Sequence, residues 1–142
     1  MTSPAVVLDT NVIIAALRSR RGASYRLLSL VGQGVFEINV SVPLVLEYED
    51  AAKRLIGETD LTAQDIDDIL DYLCSVANRY AVFFLWRPFL RDDKDDMVLE
   101  LAVASGCDAI VTYNQRDFVG VQQFGIRLLT PKAFLVELGE AS

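Results

Sequence analysis

The stretch Ala5-Val6-Val7-Leu8-Asp9-Thr10-Asn11 decides the fold, because four consecutive apolar residues end abruptly in three polar ones. A short, continuous, β-branched apolar run is typical of a strand buried on both faces of a parallel sheet. Polar residues directly after such a strand lie at the carboxyl edge of the sheet, where ligands bind in open α/β folds. The first strand therefore predicts both the fold class and the place of the site.

Working outward, strand-like segments alternate with helical ones along the whole chain. Further strands are predicted at 36–40, where apolar and polar residues alternate as in a half-covered strand, and at 81–86, 109–112 and 126–129. Helices are predicted at 12–17, 24–31, 44–55, 62–80, 96–105 and 131–139. We expect a single three-layer α/β/α domain over residues 1–142, with a mainly parallel five-stranded sheet.

Several residues predict where the helices begin. Thr10 or Asn11 is the expected cap of the first helix, and Ser41 with a following proline is expected to open the third. The segment Thr62-Ala63-Gln64-Asp65 resembles a capping box. The acidic run at 92–96 is expected to be a loop, with Gly106 capping the end of the helix after it.

The composition excludes several kinds of chemistry. The 142 residues include no histidine, which excludes Ser-His-Asp and Cys-His triads and the usual zinc sites. The chain has 13 basic and 20 acidic residues, a net charge of −7 that argues against non-specific adhesion to nucleic acid or anionic membranes. A nucleic-acid partner would need bridging cations or a local basic patch.

The cysteines and the apolar runs bear on the compartment. Cys74 and Cys107 lie in apolar stretches without C-x-x-C spacing, so both are expected to be reduced thiols. No apolar run approaches the 18 residues of a membrane span, and residues 1–4 lack the basic start of a signal peptide. We expect a cytoplasmic protein with no membrane contact.

Asp9 and Glu47 are the first two candidate site residues. Asp9 follows the first strand, although it could equally serve only to cap the next helix. Glu47 lies about 60° from Leu44 on a helical wheel, beside the expected apolar stripe, whereas Glu49 and Asp50 point away from it. A carboxylate at the margin of the core needs an arginine partner or a bound cation, and both remain open.

Two later segments complete the candidate site. Asp95 stands one and two turns before Leu99 and Ala102 and is preferred over Asp96, although both could simply cap a helix. Asn114 and Asp117 come just after the fourth predicted strand.

Carboxylates that converge on one small space cannot all stay ionised without protons or a metal ion to compensate them. We expect no lysine or arginine inside these motifs that could do so. Oxygen ligands without histidine or cysteine favour Mg²⁺ or Mn²⁺, whose chemistry at such sites is phosphodiester hydrolysis.

With these residues in place, the chain resembles the PIN domain family, the nuclease module of VapC-type toxins and related RNA-processing enzymes. The resemblance is carried by V-V-L-D-T-N-V-I-I at 6–14, S-V-P-L-V-L-E at 41–47, D-K-D-D-M-V-L-E-L-A at 93–102 and I-V-T-Y-N-Q-R-D-F at 110–118. It implies that Asp9, Glu47 and Asp95 bind the metal, with Asp96 as the fallback for Asp95 and Asn11 orienting Asp9.

At one position this chain departs from the pattern of the family. Many members have an acid where this chain has Asn114, an amide that contributes no charge. Asp117 lies three residues later and could serve as the fourth catalytic acid, beside Asp9, Glu47 and Asp95. The number of metal ions at the site therefore stays open.

The resemblance implies Mg²⁺-dependent cleavage of RNA, a homodimer, and a small antitoxin protein as partner. The cluster Arg18, Arg20, Arg21 and Arg26 could contact either RNA or the antitoxin, or could simply be solvated.

Two other readings remain. The first is a catalytically weak or inactive PIN-like domain that docks RNA or a protein. The second is a phosphohydrolase or phospho-acceptor domain with Asp9 as nucleophile, which Asn11 disfavours because the haloacid-dehalogenase signature needs an aspartate there.

Overall fold

A computed structural model describes residues 3–81, 90 and 92–140. The described residues form five strands: β1 Ala5–Leu8, β2 Glu37–Val40, β3 Asn78–Arg79, β4 Ala109–Val111 and β5 Arg127–Leu129. They also form six α-helices: α1 Thr10–Arg18, α2 Ala23–Leu30, α3 Val42–Lys53, α4 Ala63–Val76, α5 Asp93–Ser105 and α6 Pro131–Leu138.

The five strands form one sheet in the order β3-β2-β1-β4-β5, and every neighbouring pair is parallel. β1 is the central strand, and its residues Val6, Val7 and Leu8 are buried. α5 packs on β1, β2 and β4, while α1 contacts α2 and α3, and α3 contacts α4. The predicted α/β/α fold with a five-stranded sheet is confirmed.

The sheet is wholly parallel, so the carboxyl ends of all its strands lie at one edge. The residues that follow the strands at that edge include Asp9 after β1, Ser41 after β2, Thr112 after β4 and Thr130 after β5. Ser41 and Thr130 accept hydrogen bonds from the backbone amides of Leu44 and Ala133 and so begin α3 and α6. This leaves Asp9 and Thr112 as the polar centre of the edge.

Helices α1 and α5 begin at other residues than predicted. Asp9, and not Thr10 or Asn11, is the cap of α1, because its carboxylate accepts the amide hydrogen of Thr10. The acidic run is not a loop, because Asp92 caps α5 and accepts the amide hydrogen of Lys94 at 2.9 Å. Helix α5 therefore begins at Asp93, three residues earlier than predicted.

The other helix signals agree with the structure. Thr62 and Asp65 form the reciprocal hydrogen bonds of a capping box at the start of α4. Gly106 ends α5 in the left-handed region, with φ of 63°. On α3 the buried residues are Leu44, Tyr48 and Ala52.

The region between α4 and β3 differs from the prediction. α4 ends at Val76 instead of near Tyr80, because Asn78 joins the sheet and donates from its side chain to the Asn39 amide oxygen at 3.0 Å. Asn39 is consequently only 1% exposed, so β2 is not the half-covered strand that its alternation predicted. Of the predicted strand at 81–86, Ala81 is not in a strand, and residues 82–86 lie outside the described part of the chain.

The sequence also led to expectations about the cysteines and about membrane spans. Cys74 and Cys107 are both free, as predicted. Within the described ranges, no helix combines the length and the apolar character needed to cross a membrane.

Candidate metal and active site

Asp9 lies at the centre of the carboxyl edge. The register that pairs Leu8 with Val111 sets Asp9 beside Thr112, and the Asp9 amide continues the ladder by donating to the Val111 carbonyl at 2.9 Å. The residue is only 8% exposed. Its Oδ1 accepts the Thr10 amide hydrogen and its Oδ2 accepts the Thr112 hydroxyl hydrogen, each at 2.8 Å.

Burial raises the pKa of Asp9 above its ordinary value, although the hydrogen bonds from Thr112 and Thr10 oppose this shift. The negative charges of Asp117 and Glu47 raise it further. Asp117 follows β4 and Glu47 belongs to α3. Three segments far apart in the chain therefore bring their carboxylates within reach of one another's charge.

Thr112 is a site residue that the sequence prediction did not single out. Its side chain is buried, and its Oγ1 donates to Asp9, accepts from the Asn114 amide at 3.0 Å and accepts from Asn11 Nδ2 at 3.3 Å. Asn11 therefore acts on Asp9 through Thr112. The sequence signal that could have identified Thr112 is its position directly after β4, opposite Asp9 in the parallel register.

Glu47 leans toward the core as the helical wheel predicts. Its side chain is 17% exposed, against 42% for Glu49 on the same helix. Glu47 Oε1 lies 3.4 Å from Nζ of Lys94, in the first turn of α5. The expectation that no lysine compensates these acids is therefore wrong, because Lys94 stands inside the acidic motif and pairs with Glu47.

Asp95 has the most perturbed carboxyl group of the site, with its pKa raised to about 7. Burial is the main cause, followed by the charges of Asp9 and Asp117 and, more weakly, of Asp92 and Asp96. The start of a helix ordinarily favours a carboxylate, so desolvation and repulsion here exceed the helix dipole. Asp95 therefore keeps its proton to a higher pH than an ordinary aspartate does.

Asp96 belongs to a different environment. It is 2% exposed, and its Oδ1 accepts the Leu90 amide hydrogen at 2.8 Å. Its Oδ2 has no hydrogen-bond partner among the residues that the structure describes. Asp96 thus fixes the chain before α5, and Asp95 is the better candidate ligand.

Asn114 and Asp117 lie beyond β4, where Gln115–Phe118 forms a 3₁₀ turn. Both are exposed. Asp117 acts on Asp9 and Asp95 through its charge, whereas Asn114 contacts the site through its backbone amide, which donates to Thr112. Asp117 is therefore the fourth carboxylate of this edge.

Tyr48 connects α3 to the end of β1, directly before Asp9. It is fully buried on α3, and its hydroxyl donates to the Leu8 carbonyl, one residue before Asp9. Burial, reinforced by the charge of Asp9, raises its pKa well above the ordinary value. Tyr48 therefore stays a neutral hydrogen-bond donor that ties α3 to the end of β1.

The donor set fits a hard divalent cation, because it consists of carboxylate, hydroxyl and amide oxygens. The four carboxylates interact electrostatically, and protonation and Lys94 compensate part of their charge. As they stand, however, no three acidic or cysteine side chains in the described ranges are close enough to enclose a metal ion. A cation would have to draw the side chains inward and replace the proton and the lysine.

The basic cluster contains ion pairs. Arg18 contacts Glu58 at 3.3 Å and Arg26 contacts Glu140 at 2.9 Å. A role of these arginines toward RNA or an antitoxin stays a prediction.

Residues 5–116 match the family model described as "PIN domain". This match covers more than half of the chain. The chain belongs to the PIN domain family. No curated protein matches the chain.

The PIN fold is also seen in two similar solved structures. One is VapBC2 from Rickettsia felis bound to a DNA fragment from its promoter, with 15% identity and a TM-score of 0.59. The other is VapBC-1 from nontypeable Haemophilus influenzae, with 16% identity and a TM-score of 0.59. In both cases the match covers 89% of this chain and 98% of the other. At this identity the likeness shows the shared fold.

Proposed function

We propose that this PIN domain protein is a Mg²⁺- or Mn²⁺-dependent endoribonuclease. The observation that supports it most is that four acids from separate segments of a PIN fold, Asp9, Glu47, Asp95 and Asp117, lie within reach of one another's charge at one sheet edge, where the pKa values of Asp9 and Asp95 are raised. Structural carboxylates are usually spread apart or paired with bases, so acids that repel one another at a sheet edge point to a ligand.

Asp9, Glu47 and Asp95 would hold the metal ion, with Asp117 beside them. The bound cation would supply a Lewis acid and an activated water for attack on the phosphodiester. Thr112 holds one oxygen of Asp9 and the Thr10 amide holds the other, which fixes the orientation of the carboxylate. Lys94 would be released from Glu47 when the cation binds, and its positive charge would then be free beside the RNA phosphate.

An acidic protein must also bring a polyanion close to its site. With a net charge of −7, the chain gains no affinity from general electrostatics. Cations held between the carboxylates and the phosphate would remove the repulsion. Dependence of RNA binding on divalent ions is therefore part of the same proposal.

The test is cleavage of a single-stranded RNA by the wild type and by Asp9→Asn and Glu47→Gln, with Mg²⁺ or Mn²⁺ and with EDTA. We expect each variant to lose about 100-fold or more of the metal-dependent rate, because each loses a charged ligand. Glu49→Gln is the matched control, since it makes the same change on the outer face of α3 and should cleave like the wild type. Wild-type rates in both site variants would refute the assignment.

A weakly active or inactive PIN domain that docks RNA or a protein is the second candidate, favoured by Asn114 at the fourth acidic position. Thermal unfolding in the presence of Mn²⁺ separates the two. An active site should bind Mn²⁺ and gain about 2.7 kcal/mol at a concentration 100 times the Kd, whereas a decayed site should gain nothing.

We further propose that the protein is the toxin of a toxin–antitoxin pair and that it acts as a homodimer in the cytoplasm. The proposal is supported by the family and by the fold shared with the two VapBC structures. Expression of the wild type in bacteria should arrest growth, and Asp9→Asn should not. Co-expression of the protein from an adjacent short reading frame should restore growth and yield a complex on gel filtration.

A further inference from the structure

A cavity of about 660 Å³ opens directly beyond β4. It is lined by Tyr113, Asn114, Gln115, Arg116, Asp117 and Thr130. Sites for small organic ligands commonly have volumes of 300–1,000 Å³. The cavity is therefore large enough for one nucleotide.

The cavity adjoins the acidic site through two of its lining residues. Asp117 lines the cavity and is also one of the four carboxylates at this edge of the sheet. The Asn114 amide donates to the Thr112 hydroxyl, which itself donates to Asp9. A ligand in the cavity would therefore lie next to the carboxylates.

Tyr113 supplies an aromatic surface that is held in place. Its amide donates to Asn11 Oδ1 at 3.4 Å, and its hydroxyl lies 2.6 Å from Oγ of the buried Ser24 on α2. The residue is nevertheless 47% exposed. Because the hydroxyl is engaged, the ring is the part of the side chain that a ligand can use, and little entropy would be lost on stacking against it.

Arg116 supplies a cation among the residues that line the cavity. Its side chain is exposed and forms no ion pair or hydrogen bond with any residue in the described part of the chain. Arg18, Arg26 and Arg127, in contrast, each pair with a glutamate. A guanidinium beside the acids matches the geometry of a phosphate group, which it can bind with two hydrogen bonds.

We propose that this cavity binds the nucleotide next to the scissile phosphate of a single-stranded RNA, with the base on Tyr113 and its phosphate on Arg116. Gln115 offers an amide for the edge of the base. A base within a duplex is already stacked, so this mode requires an unpaired strand. The inference rests on the proposed nuclease function and names the residues that would bind one nucleotide of its substrate.

The first experiment needs neither metal nor cleavage. Protein with ¹³C-labelled tyrosine is titrated in EDTA with adenosine 5′-monophosphate and, separately, with ribose 5-phosphate. Tyr113→Phe identifies the Tyr113 signal among the five tyrosines. We expect the nucleotide to shift that signal and the sugar phosphate to bind at least about 5-fold more weakly, since it lacks the base.

Arg116→Ala should weaken the binding of both ligands. Arg127→Ala is the matched control, because it removes the same charge at the start of β5, where that residue pairs with Glu137. This control should bind the nucleotide like the wild type.

The second experiment measures kcat and KM for cleavage of an unpaired RNA decamer with Mg²⁺. Tyr113→Ala should raise KM by roughly 5- to 150-fold, the range that corresponds to about 1–3 kcal/mol for one stacked base. Tyr113→Phe and Tyr113→Trp retain a ring and should stay within a few-fold of the wild type.

The proposal is overturned if Tyr113→Ala and Arg116→Ala both bind the nucleotide and cleave the decamer with wild-type constants; the nuclease assignment then survives alone. If nucleotide binding behaves as expected but no protein cleaves RNA, the cavity is supported and the nuclease assignment falls. Should Tyr113→Ala fail to fold, the wild-type and Arg116→Ala titrations decide.

Discussion

Thr112 carries no charge, yet three polar groups of the site meet at its hydroxyl. It donates to Asp9 and accepts from Asn11 and from the Asn114 backbone. These bonds link the end of β1 to the segment after β4. A hydroxyl can do this because it donates one hydrogen bond and accepts two.

Thr112→Val keeps the shape of the side chain and removes the hydroxyl. We expect the affinity for Mn²⁺ and the metal-dependent cleavage rate to fall by about 10- to 100-fold, because Asp9 loses the bond that orients it. Titration calorimetry with Mn²⁺ and a cleavage assay measure the two effects. Thr112→Ser keeps the hydroxyl and is the control; equal behaviour of the two variants would contradict this role.

At the scale of elements, the contact between α2 and α4 depends on a glycine. Gly32 follows α2 with φ of +84°, and a Cβ built there would lie 2.3 Å from the Tyr72 hydroxyl. That hydroxyl donates to the Val31 carbonyl at 2.9 Å, and so ties α4 to the end of α2. The left-handed backbone and the close approach together require glycine here.

Gly32→Ala should lower the free energy of unfolding by about 2–3 kcal/mol, because a side chain is strained at this φ and displaces the Tyr72 hydroxyl from its hydrogen bond. Gly34→Ala is the matched control, since Gly34 has φ of +81° but no atom within 4 Å of the added Cβ. It should lose only the backbone part, about 1–2 kcal/mol. Urea denaturation measures both, and equal losses would mean that the Tyr72 contact contributes nothing.

For the whole molecule, repulsion between the carboxylates of the acidic site lowers the stability of the folded chain. The chain has a net charge of −7, and four of its carboxylates interact at one edge of the sheet. Packing elsewhere outweighs this cost, through a core that runs from β1 to α5 and α6. The repulsion should therefore appear as a dependence of stability on pH.

In EDTA, the wild type should lose stability as the pH rises from about 4 to about 7. Asp95 has its pKa raised from 3.8 to about 7 in the folded state, so within this window the folded chain holds a proton that the unfolded chain releases. Asp95→Asn removes this titration. The difference in Tm between that variant and the wild type should widen from pH 5 to pH 7 and then level off; a constant difference would exclude Asp95 as the cause.

The sequence by itself determined the order of the elements and most of their ends. The apolar run of β1, the capping box at Thr62 and the glycine after α5 act through neighbours within a few residues, so local rules predict them. It also indicated the inward lean of Glu47, because a helix fixes which residues share a face. The family was recognisable for the same reason, since its motifs are short and contiguous.

Only the tertiary structure decided which polar groups meet. Asn39 is buried because Asn78 lies beside it, Lys94 compensates Glu47 because α5 and α3 adjoin, and Thr112 reaches Asp9 because β4 pairs with β1. Each of these contacts joins residues about 40 to 100 positions apart. The physical reason is that pKa values and ion pairs depend on distance in space and on burial, neither of which a local sequence pattern specifies.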